Sequence, residues 1–232
     1  MYINGFDILW DEIDDYVADI KSIRSIDQFM FTKPVTFFCG ENGSGKSTLL
    51  EALAIKNGLN PEGGTRNYNF STYDSYSSLH KHMRLWRSRK PDWMYFLRAE
   101  SFYNVATKEM EYSGVFSERY HDQSHGQSFF SVLMKQTNKN GLYLLDEPEA
   151  ALSCQNQLAL LYLIQSCVKQ NCQFIIATHS PILLGFPGAQ ILSFDEDKVE
   201  EVDYKSTSSY QTMKLFLDRY DYFVEDIKKN EI

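Results

Sequence analysis

Residues 40–47, GENGSGKS, have the types and spacing that could hold a phosphate group, because they match the pattern G-x-x-x-x-G-K-[ST]. The glycines let the backbone wrap a phosphate with its N–H groups pointing inward. Lys46 would reach the β- and γ-phosphates of a nucleotide, and Ser47 would ligate Mg²⁺. An apolar run precedes the motif and a Leu- and Ala-rich run follows it. This strand–loop–helix context favours a phosphate-binding loop over an ordinary glycine-rich turn. The residues predicted to contact nucleotide here are Gly40, Glu41, Asn42, Gly43, Ser44, Gly45, Lys46, Ser47 and Thr48.

A pair of acids ends a second apolar run, LYLLDE, at Asp146 and Glu147. Ligands of open parallel sheets bind at the carboxyl ends of the strands, which is where this pair would lie. We predict that Asp146 belongs to the Mg²⁺ shell and that Glu147 polarises the attacking water. A solvated strand end is the alternative, and the phosphate loop about a hundred residues upstream argues against it.

A histidine ends a third apolar run, FIIATHS, at His179. Taken alone, such a residue is more often structural. Together with the loop and the two acids, it is predicted to contact the γ-phosphate and to orient Glu147. The predicted catalytic residues are therefore Lys46, Glu147 and His179.

The elements that position these residues alternate between strand and helix. Buried strands are predicted at 35–39, 94–97, 142–145, 174–177 and 191–194, and helices at 46–55, 127–135 and 155–168. This order predicts an α/β fold with a mostly parallel sheet flanked by helices. We expect a single domain over residues 1–232, with a small inserted helical lobe at about 57–123. Residues 209–229 are expected to form one or two aromatic-rich helices that pack on the body.

The composition of the chain indicates the cellular compartment in which we expect it. The net charge is −8 and hydrophobic residues make up 43%. No apolar run approaches the roughly 18–20 residues of a membrane span, so we expect no membrane insertion. An acidic N-terminal region without a basic segment and four cysteines without a CxxC pair favour a cytoplasmic protein.

One stretch stands out against the acidic background. Residues 75–91 contain no acid, and they carry five positive charges with aromatic and histidine side chains between them. Either the stretch contacts nucleic-acid phosphates or an acidic partner, or it is the solvated face of a lobe helix. Its basic residues are Lys81, Arg84, Arg87, Arg89 and Lys90.

The segments GENGSGKST, SHGQS, LLDEPEAALS and ATHS, in that order, resemble the ABC-type ATPases. Residues 40–48 are similar to the Walker A loop of that family, and 124–127 to its signature, which usually reads SGGQ. Asp146 and Glu147 resemble Walker B and the catalytic glutamate, residues 150–152 the D-loop, and His179 the switch histidine. The segments DEPEAAL and SHG resemble the corresponding segments of soluble RecF-, SMC- and OLD-like proteins, and most of all those of small stand-alone bacterial ATPases of the AAA family.

This resemblance implies an enzyme that binds ATP and Mg²⁺ and hydrolyses ATP between two copies of the chain. Ser124, Gly126 and Gln127 of one copy would contact the nucleotide of the other. The implied function is a soluble switch in DNA maintenance or defence, with nucleic acid or an effector nuclease as candidate partners. The alternative is the ATP-binding subunit of a membrane transporter, with a permease as partner. A P-loop kinase or GTPase is disfavoured, because no NKxD guanine-reading motif is present.

The sequence also departs from the family pattern. His125 stands where the signature usually has Gly, and Ser153 where transporters often have Asp. Glu100 lies where a Q-loop glutamine is expected. Arg66 is placed like an arginine of SMC-type heads that reaches nucleotide or DNA. For Glu100 and Arg66 a surface ion pair is an equally open interpretation.

Overall fold

The chain folds around two sheets in the computed structural model, which describes residues 1–10, 13–65, 76–98, 131, 133–137 and 140–229. The strands are β1 Ile3–Ile8, β2 Gln28–Met30, β3 Val35–Cys39, β4 Met83–Arg87, β5 Trp93–Arg98, β6 Gly141–Asp146, β7 Gln173–Ala177, β8 Gln190–Ser193 and β9 Glu200–Glu201. The larger sheet has the order β5-β6-β7-β3-β8-β9, and the smaller has the order β2-β1-β4.

The larger sheet confirms the predicted α/β fold. Its first five strands in spatial order run parallel, and only β9 is antiparallel to its neighbour. Each of the five predicted strands is present within one residue of its predicted bounds. Every residue of β3, β6 and β7 is buried. Burial on both faces explains why these strands read as continuous apolar runs rather than as an alternating pattern.

Helices cover both faces of this sheet. Lys46–Lys56 packs on one face through Leu49, Leu50 and Leu53. Cys154–Lys169 packs on the other face through Leu160 and Ile164. Both match the predicted helices within one residue. Of the helix predicted at 127–135, residues 131 and 133–135 are helical, and the others lie outside the described residues. The remaining described α-helices are Lys21–Arg24, Leu79–His82, Pro181–Leu184, Ser208–Asp218 and Tyr220–Lys229.

The smaller sheet was not predicted. All its pairings are antiparallel, and β1 pairs with β4 although nearly eighty residues separate the partners. The sheets are joined by the buried side chain of Gln173 on β7. Its Oε1 accepts hydrogen bonds from the Tyr2 and Ile3 backbone N–H groups at 2.7 and 2.9 Å, and its Nε2 donates to the Ile3 carbonyl at 2.8 Å. A polar side chain therefore satisfies backbone groups that would otherwise be buried without partners.

The range expected to be a helical lobe, 57–123, contains both strand and helix where it is described. Its described residues hold the short Leu79–His82 helix, then β4 of the smaller sheet and β5 of the larger one. Residues 66–75 and 99–123 lie outside the described part, so the lobe and its bounds stay a prediction.

The tail forms the two expected helices, but they pack on the body less than expected. None of their residues is buried, and Leu217, Tyr222 and Ile227 are each more than 60% exposed.

None of the helices in the described part of the chain combines the length and the apolar character needed to cross a bilayer.

Candidate nucleotide site

The predicted phosphate loop connects β3 to the Lys46–Lys56 helix. Its three glycines, Gly40, Gly43 and Gly45, have positive φ angles of 138°, 79° and 97°. A Cβ atom on Gly45 would lie 2.8 Å from the side chain of Ile23. Glycine is therefore required at Gly45 both by the backbone conformation and by space. The outer side of the loop is open, since Glu41, Asn42 and Gly43 are exposed.

Two contacts from outside the motif brace the loop. The backbone N–H of Glu41 donates to Asp195 Oδ1 at 2.8 Å, and the Ser22 hydroxyl donates to the Ser44 carbonyl at 2.5 Å. Sequence reasoning missed Asp195. Its signal was available, because Asp195 follows β8 as an acid at the carboxyl end of a buried strand, in the same way that Asp146 ends β6.

Lys46 is buried at the base of the loop, with 3% of its surface exposed. Its Nζ donates to the carbonyls of Gly40 at 2.8 Å and Glu41 at 2.7 Å. Burial lowers the pKa of the Lys46 ammonium, and the carboxylates of Glu147, Asp195 and Asp146 oppose that shift. Phosphate oxygens in the loop would favour the charged ammonium more strongly than these carbonyls do.

Ser47 and Asp146, both predicted to ligate Mg²⁺, lie in direct contact. The Ser47 hydroxyl donates to Asp146 Oδ1 at 2.8 Å. Mg²⁺ is usually bound by one or two protein oxygens together with substrate phosphates and water, and the Ser47–Asp146 pair could supply such oxygens.

A cation already lies beside Asp146. The guanidinium Nε of Arg98, at the end of β5, is 3.7 Å from Asp146 Oδ2, and Arg98 also pairs with Glu51. Arg98 was not singled out from the sequence, because nothing in FLRAES, residues 96–101, indicates that β5 brings this side chain next to the carboxylate of Asp146.

Glu147 and His179 form the second predicted group. Glu147 Oε1 lies 3.7 Å from His179 Nε2, too far for a hydrogen bond but close enough for one water or phosphate oxygen to contact both. His179 Nε2 is buried and has no hydrogen-bond partner among the described residues. Glu147 has a left-handed backbone, with φ 48° and ψ 51°, and its N–H donates to the Ala177 carbonyl at 2.9 Å.

The described site residues share one edge of the sheet. The loop follows β3, Asp146 and Glu147 end β6, and His179 follows β7, with β7 lying between β6 and β3. The structure thus brings together Lys46, Ser47, Asp146, Glu147 and His179. Ser124, His125, Gly126, Gln127, Glu100 and Arg66 lie outside the described residues, so their roles stay predictions.

Comparison with known proteins agrees with this arrangement. A family described as an AAA domain matches residues 17–80, which contain the phosphate loop, and one described as an AAA ATPase domain matches residues 125–184, which contain Asp146, Glu147 and His179. An uncharacterized ABC transporter ATP-binding protein of Haemophilus influenzae is 28% identical, over 68% of each chain.

Two solved structures resemble this chain. An ABC transporter assigned to the metal-chelate type, in an inward-facing conformation, superposes with a TM-score of 0.52 at 17% identity, over 91% of this chain and 88% of the other. An SMC head bound to the C-terminal winged-helix domain of ScpA gives a TM-score of 0.49 at 14% identity, over 92% of this chain and 100% of the other. Together with the order of the motifs and the site that they form, the two AAA-domain matches, the Haemophilus influenzae relative and the fold of the ABC transporter show that the chain is similar to ABC-type P-loop ATPases.

Proposed function

We propose that this chain binds ATP with Mg²⁺, hydrolyses it, and does so as a dimer closed by the nucleotide. The observation that supports this most strongly is the 2.8 Å contact between Ser47 and Asp146, made beside Lys46 and the Glu147–His179 pair. These side chains come from three separate segments of the sequence. A shared position at one sheet edge provides the charges that a nucleoside triphosphate and its metal require.

Each residue has a separate task in this proposal. The loop N–H groups and Lys46 would bind the phosphates, while Ser47 and Asp146 would hold Mg²⁺, which would neutralise charge on the phosphate oxygens. Glu147 orients and polarises the attacking water, and His179 contacts the γ-phosphate and keeps Glu147 in place. Catalysis then rests mainly on positioning and on electrostatic stabilisation.

Dimer formation is supported by exposed surface next to the candidate site. The outer side of the phosphate loop is exposed, as are Ala150 and Ser153 after Walker B. In the proposed dimer, Ser124, Gly126 and Gln127 of a second copy would cover the loop and the bound nucleotide. A helix that begins near Gln127 would direct its N-terminus, with a partial positive charge, at the γ-phosphate.

Hydrolysis is expected to require the metal. Phosphate release from ATP by the purified protein should stop when EDTA removes Mg²⁺ and return when Mg²⁺ is added back. Ser47→Ala removes one proposed ligand, so it should raise the Mg²⁺ concentration needed for half-maximal rate. Ser166→Ala, at an exposed serine on the Cys154–Lys169 helix, makes the same change away from the site and is the matched control. Turnover that continues in EDTA would contradict the metal assignment.

We also propose that the chain is a switch protein that acts on nucleic acid, and the support is a basic patch on the smaller sheet. The patch surrounds a depression lined by Leu9, Lys56, Lys81, His82, Met83, Arg84, Leu85 and Arg87. It corresponds to the acid-free stretch of the sequence, which forms the Leu79–His82 helix and β4.

Some arginines of that stretch also hold the fold. Arg84 pairs with Asp7 at 2.7 Å, and Arg87 donates to the Lys56 carbonyl and to Asn57 Oδ1 at 3.1 Å. Arg89 stacks over the ring of Tyr2. Reversing these arginines would therefore disturb structure as well as charge, and the two lysines of the patch are better targets for substitution.

Binding of the patch to duplex DNA should depend steeply on salt, with a slope of about −0.9 per neutralised phosphate in a plot of log affinity against log salt. Lys56→Glu combined with Lys81→Glu should weaken binding in a fluorescence-anisotropy titration and leave ATP hydrolysis nearly unchanged. Lys169→Glu combined with Lys205→Glu makes the same charge change at lysines outside the patch and is the control. Absence of binding to duplex and single strands at low salt, with and without ATP, would overturn the nucleic-acid proposal.

A transporter subunit is the second candidate, and the description of the Haemophilus influenzae relative favours it. The two functions predict different partners for the same ATP-driven dimer. A permease encoded beside this chain would support the transporter function, whereas a neighbouring nuclease would support the switch.

A further inference from the structure

Glu149 holds the backbone of His179. Glu149 lies in the 3-10 turn Pro148–Ala151, two residues after Glu147. Its Oε1 accepts a hydrogen bond from the His179 backbone N–H at 2.6 Å. The other carboxylate oxygen, Oε2, is buried and has no partner among the described residues. Burying a carboxylate is costly, so its contact with the backbone just after β7 indicates a specific role there.

This contact belongs to a clamp between two segments of the site. On one side of Glu147, its own N–H donates to the Ala177 carbonyl at 2.9 Å. On the other side, Glu149 accepts from His179. The residues that follow β6 and those that follow β7 are therefore tied together at two points, and the left-handed Glu147 lies within the clamp. A non-glycine residue in that conformation persists only where surrounding contacts hold it.

The chain beyond His179 is fixed independently. The Ser180 hydroxyl donates to Gln157 Oε1 at 2.6 Å and accepts from the backbone N–H groups of Ile182 and Leu183 at 3.1 Å each. Gln157 in turn donates to the Leu152 carbonyl at 3.0 Å. With Ser180 held in this way, the bond from Glu149 is the contact that fixes the backbone of His179 itself.

We propose that Glu149 is a positioning residue that keeps the His179 imidazole at its working distance from Glu147 during ATP hydrolysis. This inference rests on the proposed hydrolysis. Glu149 does not itself touch the nucleotide in this role, since its Oε1 accepts from the His179 N–H and its Oε2 is buried. It acts by keeping Glu147 Oε1 and His179 Nε2 3.7 Å apart, so that one water or phosphate oxygen can contact both side chains.

The kinetic test compares two variants of Glu149. Glu149→Gln retains a carbonyl oxygen that can accept from the His179 N–H, so kcat should stay within about threefold of wild type, which is less than the tenfold equivalent to 1.4 kcal/mol. Glu149→Ala removes the acceptor, and kcat should fall about 10–100-fold, the range expected for a misplaced catalytic group. KM for ATP should change little, because Lys46 and the loop are untouched. Glu149→Leu fills the same space without an acceptor and replaces Glu149→Ala if that variant does not fold.

A double-mutant cycle separates positioning from general stabilisation. If Glu149 acts through His179, then Glu149→Ala should cost little further activity in a His179→Ala background. Additive losses, or wild-type kcat in both Glu149→Ala and Glu149→Leu, would overturn the inference.

Amide hydrogen exchange gives a readout that needs no turnover. The His179 amide should exchange faster in Glu149→Ala than in wild type and stay protected in Glu149→Gln. If the wild-type protein did not hydrolyse ATP while this exchange pattern held, the proposed function would fail and the clamp would stand. If wild type hydrolysed ATP and the His179 amide exchanged equally in all variants, the inference would fail and the proposed function would stand.

Discussion

Glu147→Gln is expected to lower kcat for ATP hydrolysis by about 10²–10⁴-fold, the usual contribution of a positioned base. The amide retains the size of the side chain and loses its basicity. ATP binding should survive, because Lys46, Ser47 and Asp146 hold the phosphates and the metal. The measurement is phosphate release in parallel with ATP affinity by calorimetry.

The control for this variant is Glu225→Gln. Glu225 is an exposed acid on the last helix, so the substitution makes the same chemical change away from the site. It should leave kcat unchanged. A Glu147→Gln protein that hydrolyses ATP within about twofold of the wild-type rate would contradict the role of Glu147, because a positioned base contributes far more.

Mixing two inactive variants is expected to restore activity. Lys46→Ala should weaken ATP binding by about 100-fold, since hydrogen bonds to charged groups contribute about 1.5–3 kcal/mol each. Ser124→Arg should keep binding and lose turnover, because the proposed signature acts on the nucleotide of the other copy. A heterodimer of the two has one site with both residues intact, so the mixture should hydrolyse ATP although neither protein does so alone.

The matched control is a mixture of Lys46→Ala with Glu147→Gln. Lys46 and Glu147 act in the same half of the site, so no arrangement of these two chains provides an intact one, and activity should stay absent. Wild-type hydrolysis by Ser124→Arg alone would contradict the shared site. Recovery in the control mixture would do the same.

The core of the fold could be predicted because its signals are local. Strands β3, β6 and β7 are buried on both faces, so each reads as an unbroken apolar run, and the residues that end these runs mark the site edge. Asp146, Glu147 and His179 were predicted in this way, and Lys46 from the glycine-rich motif that follows β3; the structure brings these four side chains to one edge of the sheet. Their mutual distances were not available from the sequence, because they depend on the order of the strands in the sheet.

The smaller sheet lacked such a signal. Strand β1 contains Asn4, Gly5 and Asp7, and its partner β4 is nearly eighty residues away. For the basic stretch, the sequence left open a contact with phosphates or an acidic partner and the solvated face of a lobe helix; residues 83–87 of the stretch instead form an edge strand. Glu149 was missed for a similar reason, because it acts on the backbone N–H of His179, 30 residues away in the sequence. Asp195 did have a local signal, an acid after a buried strand, but its contact with the Glu41 N–H was not visible in the sequence.

The tail, residues 209–229, is an element whose apolar content predicted more packing than the structure shows. Residues 209–229 are rich in aromatic side chains, which predicted packing on the body. The helices are present, but their apolar side chains stay largely exposed. Helical periodicity identified the elements, and it contained no information about which surface, if any, they cover.

The mass of the Glu147→Gln protein in solution tests the central claim most directly, that two chains close on ATP. Light scattering coupled to size-exclusion chromatography should give the mass of one 27.0 kDa chain without nucleotide, and about twice that mass with ATP and Mg²⁺. ADP should leave the monomer, because it lacks the phosphate that would join the loop of one copy to the signature of the other. A Glu147→Gln protein that binds ATP tightly and stays monomeric at micromolar concentrations would contradict the shared site and leave a P-loop ATPase that works as a single chain.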